Sequence, residues 1–207
     1  MYYHFIVYAR EKKMFGRLRE KYQEAIAPIG AAFVRVGISP NVMTILSVIA
    51  AAASGYAYAV REPVYGALLI VLTGVLDMFD GAIARAENKV TRFGATFDHV
   101  LDRYAEFLIV VGMVYGGYSG WVSGVFALFG MLMASFTRAK AESVGGLESC
   151  TVGIAERQEK LLLLIGGSVL AEVFSEALNY ALILVGILSN ITVVQRLHYT
   201  WTQTGEK

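Results

Sequence analysis

Apolar residues in this chain fall into long blocks separated by short polar joints, the pattern of helices that cross a bilayer rather than of half-buried strands. Six such blocks are legible, at about 41–60, 64–86, 95–117, 121–142, 154–174 and 177–197. They predict an all-α integral membrane protein of six transmembrane helices. Ahead of them, residues 11–37 carry Lys12, Lys13, Arg17, Arg19, Lys21 and Arg35 among Phe15, Leu18, Tyr22, Ile26, Ile29 and Phe33. Apolar positions at three- and four-residue steps with a basic opposite face predict an amphipathic helix lying in the headgroup layer, broken or kinked at Pro28 and Gly30. The alternative is a soluble helix docked on a partner protein. Ser39 as N-cap and Pro40 in the first turn mark the start of the first span. The domain organisation expected is an arm over 1–37 and a six-helix membrane domain over 38–207.

Composition agrees. The 207 residues are 56% hydrophobic and 17% charged, with a mean hydropathy of +0.53, where a soluble domain carries about 25% charged residues. The net charge of +1 conceals an asymmetry. With the N-terminus in the cytoplasm, the joints after spans one, three and five hold only Arg61. The opposite side holds the basic arm with Arg85, Lys89, Arg92, Arg138, Lys140, Arg157, Lys160, Arg196 and Lys207. This positive-inside pattern predicts an even number of spans, both termini cytoplasmic, in the cell membrane. No cleavable signal peptide is expected at the aromatic start, and no nucleic-acid partner. The single cysteine, Cys150, excludes an intramolecular disulfide and a cysteine-based zinc site.

Four carboxylates interrupt the apolar blocks at the cytoplasmic ends of spans two and three: Asp77, Asp80, Asp98 and Asp102. At a bilayer centre each costs about 2.5–3.5 kcal/mol on an insertion scale, less near the interface, so something must bind them. Asp77 and Asp80 are three apart, Asp98 and Asp102 four apart, so each pair shares a helical face. Two such faces turned together form an all-oxygen site suited to Mg²⁺ or Mn²⁺. His99, next to Asp98, is expected to point elsewhere. The competing account pairs the aspartates with Arg85, Arg92 and Arg103, but three arginines cannot neutralise four carboxylates. Gly81, Ala84 and Gly94 leave room for a bulky ligand beside the acids; in isolation such glycines are ordinary membrane helix packing.

The string Asp77-Met-Phe-Asp80-Gly81-Ala-Ile-Ala84-Arg85, continued by Gly94, Asp98 and Asp102, resembles the signature of the CDP-alcohol phosphotransferases, with eight fixed positions across 26 residues and every one filled. The resemblance implies that Asp77, Asp80, Asp98 and Asp102 hold divalent ions, two being expected, and that Asp102 is the general base. It implies that Gly81, Ala84, Arg85 and Gly94 shape the nucleotide pocket of a CDP-lipid donor. Asn41 and Thr44 resemble a Pro-Asn-x-x-Thr feature near the nucleotide, with N-capping or packing as the alternative. The implied reaction is attack of an acceptor hydroxyl on the CDP-lipid, releasing CMP without a phosphoenzyme. A homodimer is also implied, and Gly112, Gly116 and Gly117 permit close helix contact.

The acceptor is read from the second half. Ser135, Arg138, Lys140, Arg157 and Arg196 bring polar and cationic side chains to the cytoplasmic mouth, which suits a phosphorylated polyol; the alternative is that basic residues merely flank the spans. Arg138-Ala-Lys140-Ala-Glu142 followed by Val152-Gly153-Ile154-Ala155-Glu156-Arg157-Gln158-Glu159-Lys160 is similar to the phosphatidylinositol-phosphate and archaetidylinositol-phosphate synthase branch, implying myo-inositol 1-phosphate. Glycerol 3-phosphate and L-serine are the same-chemistry alternatives. A cation transporter is the alternative outside enzymes, and it would place acids near mid-membrane in several helices.

Overall fold

The computed structural model of the chain describes residues 26–87 and 90–205, and among these it contains seven helices and no strand. They are α1 (Ile26–Arg35), α2 (Pro40–Ala59), α3 (Pro63–Ala86), α4 (Arg92–Tyr115), α5 (Trp121–Ser143), α6 (Arg157–Leu170) and α7 (Ala177–Thr204). The predicted basic stretch before Ile26 lies outside the described residues. Within them the helix runs on through Pro28 and Gly30, against the expected break. Gly30 is there for packing: a Cβ on it would stand 2.7 Å from the Ala82 carbonyl oxygen. Phe33 and Phe79, with ring centroids 5.5 Å apart, extend the same seam. As the sequence predicts, α2 opens at Pro40 behind Ser39, whose carbonyl accepts from Val42 N–H at 3.1 Å.

Four of the helices, α2, α3, α5 and α7, are long and apolar enough to cross a membrane. Their exposed faces agree. On α7, Tyr180, Leu184, Ile187, Ile191 and Val194 form an exposed stripe at three- and four-residue steps, while Ser189, Thr192 and Arg196 are buried. Apolar outside and small or polar inside is the arrangement suited to lipid rather than water. The helices at the other two predicted spans fall outside this set for separate reasons. α4 carries Asp98, Asp102, Arg103 and Glu106 within its 24 residues. α6 has only 14 residues, about 21 Å at the helical rise, against a hydrocarbon core of about 30 Å.

The chain divides into two compact units that share α2, α3 and α4 along their lengths. The first comprises 1–47 and 74–101, and so holds α1, the start of α2, the second half of α3 and the start of α4. The second comprises 48–73 and 102–207. Its core is built on Tyr58, Ile70, Ile109, Met113, Met131, Leu164, Leu178, Leu182 and Val185. Buried Tyr58 is satisfied by Ser168 Oγ at 2.6 Å, and Ser168 donates in turn to the Leu164 carbonyl.

Small residues set the helix crossings of this second unit. Any Cβ on Gly112 would collide with the backbone of Gly55, and any on Gly116 with the Tyr58 carbonyl. Gly112 and Gly116, read from sequence as permitting contact with a second copy, are thus occupied in closing α4 on α2 within one chain. On the other side, Gly130 of α5 sits against Ser189 and Asn190 of α7, and Gly186 of α7 against Phe126 and Ala127. Replacing Gly112 by valine is expected to destabilise the fold by about 1–3 kcal/mol or more, read as a lowered melting temperature of the detergent-purified protein. Unchanged melting would mean that the α2–α4 crossing does not need the glycine.

Candidate metal and phosphate-binding site

In the first unit, the second half of α3 and the start of α4 bring three aspartates together. Asp77, Asp80 and Asp98 each offer a carboxylate oxygen, and these atoms lie within 4.8 Å of one another. Asp77 and Asp98 are half-buried and Asp80 is buried. Three carboxylates this close in a poorly solvated place repel one another unless a cation stands between them. An all-oxygen donor set on rigid helices fits a hard divalent ion, so the residues present can hold the metal that the sequence pattern implies. His99 departs from expectation: its exposed ring turns back, with Nδ1 3.9 Å from Asp98 Oδ2.

Neighbouring residues orient this group. Thr44, 3% exposed, donates its hydroxyl to Asp80 Oδ2 at 2.8 Å, so the threonine read from sequence as a nucleotide neighbour touches one of the acids. Gly94 is the third residue of α4, and its N–H donates to Thr91 Oγ1 at 2.9 Å. Thr91 therefore caps the helix from the position before Arg92. A Cβ on Gly94 would crowd Thr91 Oγ1 at 3.0 Å and touch Asn41 Oδ1 at 3.8 Å. Gly81 leaves a strip of bare helix over which Arg85 folds: a Cβ there would meet Arg85 Nη1 at 3.1 Å. Arg85 itself is exposed, and Ala84 is half-buried beside it.

The second unit gathers the remaining chemistry. Asp102, 8% exposed, stands one turn beyond Asp98 on α4. Its Oδ1 lies 2.7 Å from Arg157 Nη1 and its Oδ2 3.6 Å from Arg103 Nη2. The pairing with Arg103, weighed from sequence as a competing account of the acids, is therefore present at Asp102. Arg103 Nη1 also donates to Ser135 Oγ of α5. Glu106, one turn beyond Asp102 and 2% exposed, approaches Arg103 Nη1 at 2.9 Å and Arg157 Nε at 3.9 Å. Arg157 opens α6 at a defined place, because Glu156 N–H donates to Glu159 Oε2 at 2.9 Å and fixes the first turn.

The other residues assigned to the acceptor from sequence divide. Arg138 Nε pairs with Glu142 Oε1 at 3.0 Å, the oxygen that also accepts Cys150 N–H at 2.9 Å. Lys140 is exposed, with its ammonium 5.7 Å from the centre of the Phe136 ring. Arg196 is 5% exposed and donates to two backbone carbonyls, Val152 through Nε at 2.9 Å and Ala134 through Nη1 at 2.6 Å. Together with Gln195, whose Oε1 accepts Ile154 N–H at 2.9 Å, it clamps the segment before α6 onto α7. Only Arg157 and Ser135 join the Asp102 group directly. Glu106 was not assigned from sequence, Arg103 was weighed only as a partner of the aspartates, and buried Lys160 was read only among the cytoplasmic basic residues and as the end of the stretch 152–160. Glu106 could have been found as a fifth acid inside an apolar block, one helical turn from Asp102.

Residues 37–194 match the family model for CDP-alcohol phosphatidyltransferase. The chain is 33% identical over 191 residues to an archaetidylinositol phosphate synthase of Methanothermobacter thermautotrophicus, covering 92% of this chain and 95% of that relative. Its fold is similar to the crystal structure of Mycobacterium tuberculosis phosphatidylinositol phosphate synthase with CDP-DAG bound, at a TM-score of 0.78 and 29% identity, over 87% of this chain and 96% of the other. The same Mycobacterium tuberculosis synthase in complex with manganese and citrate gives the same TM-score and identity, over 87% and 92%.

Proposed function

This chain belongs to the CDP-alcohol phosphatidyltransferase family, and from that premise we propose that it transfers the phosphatidyl or archaetidyl group of a CDP-lipid to myo-inositol 1-phosphate, releasing CMP. The single observation that carries the acceptor is what the relatives have in common. Their names differ in the lipid tail and agree on an inositol phosphate product. The half-buried arginines beside Asp102, Arg103 and Arg157, support a phosphorylated acceptor as well, since guanidinium groups satisfy phosphate oxygens.

On this reading Asp77, Asp80, Asp98 and Asp102 hold two divalent ions, Mg²⁺ or Mn²⁺, Asp102 joining by its place one turn along α4. Bound there, the ions neutralise the diphosphate and the charge that develops as CMP departs. Thr44 keeps the Asp80 carboxylate turned toward its neighbours. Asn41, Gly81, Ala84 and Gly94 leave space for the nucleotide, and Arg85 reaches a phosphate from its bed over Gly81. Asp102 takes the proton of the acceptor hydroxyl. The acceptor oxygen bonds to the lipid-side phosphorus in line with the departing CMP oxygen, which leaves with the bonding pair. Ser135, Arg138, Lys140, Arg157 and Arg196 are assigned to the acceptor's phosphate. The same reading has α4 and α6 completing six spans, both termini in the cytoplasm, the enzyme in the cell membrane as a homodimer.

Purified protein given a CDP-lipid, Mg²⁺ or Mn²⁺, and each of inositol 1-phosphate, glycerol 3-phosphate and L-serine is expected to release CMP fastest with inositol 1-phosphate. CMP release with glycerol 3-phosphate or L-serine and none with inositol 1-phosphate would overturn the acceptor assignment.

A further inference from the structure

Five ionisable side chains of the second unit, Asp102, Arg103, Glu106, Arg157 and Lys160, are drawn together by α4 and α6. Two acids face three bases, so the group carries an excess positive charge (+3 against −2). Glu106 and Lys160 are 2% and 4% exposed, and Lys160 feels the charges of Glu106, Arg103 and Arg196. A cationic cluster of this kind suits an anionic ligand with several acceptor oxygens. Should Asp102 turn to a metal, the excess rises to two, which matches the charge of about −1.5 to −2 on a phosphate monoester at neutral pH.

The geometry assigns Glu106 a place beneath that charge. Its carboxylate touches Arg103 Nη1 at 2.9 Å and approaches Arg157 Nε at 3.9 Å, so it reaches arginines from two helices. These contacts are ionic without hydrogen-bond alignment, and the buried Nε of Arg103 has no hydrogen-bond acceptor among the described residues. The guanidinium groups are therefore held by charge while donor capacity remains at Arg103. Ser135 steadies Arg103 from α5, and Arg157 is fixed by the start of α6. We infer that Glu106 is a positioning residue for the acceptor's phosphate, aligning Arg103 and Arg157 to receive it, with Lys160 supplying further charge. This rests on the reading of a phosphorylated acceptor and adds residues that the signature does not include.

The direction of the effect separates positioning from simple charge balance. Glu106→Gln removes a negative charge next to the phosphate site. By Coulomb attraction alone the acceptor's KM should then fall. If Glu106 positions the arginines, the KM for the phosphorylated acceptor should instead rise about tenfold or more, while that for CDP-lipid stays within about twofold. Glu106→Asp keeps the charge and shortens the reach, so its acceptor KM should rise less. An acceptor KM that is unchanged or lowered in Glu106→Gln, or that rises in step with the KM for CDP-lipid, overturns the inference. If Glu106→Gln does not fold, Glu106→Asp decides, and an unchanged acceptor KM there overturns it equally. The measurement uses whichever phosphorylated acceptor the unmodified enzyme turns over. Activity with glycerol 3-phosphate alone would defeat the headgroup assignment and leave Glu106 testable. Activity with L-serine alone would defeat both.

Discussion

Replacing Asp102 by asparagine is expected to lower CMP release by about 10²–10⁴-fold, the contribution of a positioned general base, while CDP-lipid binding stays within about fivefold. The structure explains why the two effects should separate. The substituted amide would keep an Oδ1 that can accept from the Arg157 guanidinium, now 2.7 Å from the carboxylate, so α4 and α6 stay joined. Asp77, Asp80 and Asp98 remain as an acidic group in the first unit. What is lost is the basic oxygen for the acceptor's proton. Turnover and equilibrium binding of a CDP-lipid, measured on the same preparation, check this. Unimpaired turnover would remove Asp102 from the proton transfer, and a parallel loss of donor binding would make it a ligand only.

Much of this was legible before any coordinates. The aspartates were visible because each breaks an apolar block, and their spacing of three and four puts each pair on one face regardless of tertiary structure. Ser39-Pro40 located the start of α2 for a similarly local reason, the fixed φ and missing N–H of proline. Features that depend on distant partners were not legible. Glu106 is visible as a further acid in an apolar run, but its arginine partner on α6 is not, because Arg157 lies 51 residues on. Arg196 and Gln195 look like basic and polar residues closing a span, and only the fold shows them gripping the carbonyl of Val152 and the amide of Ile154.

The bounds of α6 show the same limit. The apolar block is read as 154–174, and the helix runs from Arg157 to Leu170, after a segment clamped by Glu142, Gln195 and Arg196. Hydropathy records composition and does not see those side chain to backbone bonds. Gly112 and Gly116 mark a close approach, and sequence cannot say whether the approaching backbone belongs to the same chain; here it is Gly55 and Tyr58.

The second large effect concerns the metal. Three carboxylates with oxygens within 4.8 Å of one another make a poor site for an anionic diphosphate unless cations intervene, since like charges would repel it. Metal assistance is worth several kcal/mol in such transfers, and each 1.36 kcal/mol is tenfold in rate. Removing divalent ions is therefore expected to lower turnover by at least about a thousandfold, with the helical fold retained. The decisive measurement is CMP release by chelator-treated protein, before and after Mg²⁺ or Mn²⁺ is restored. Near-complete loss followed by recovery on adding the ion is the predicted result; undiminished release without any divalent ion would contradict the metal-based account.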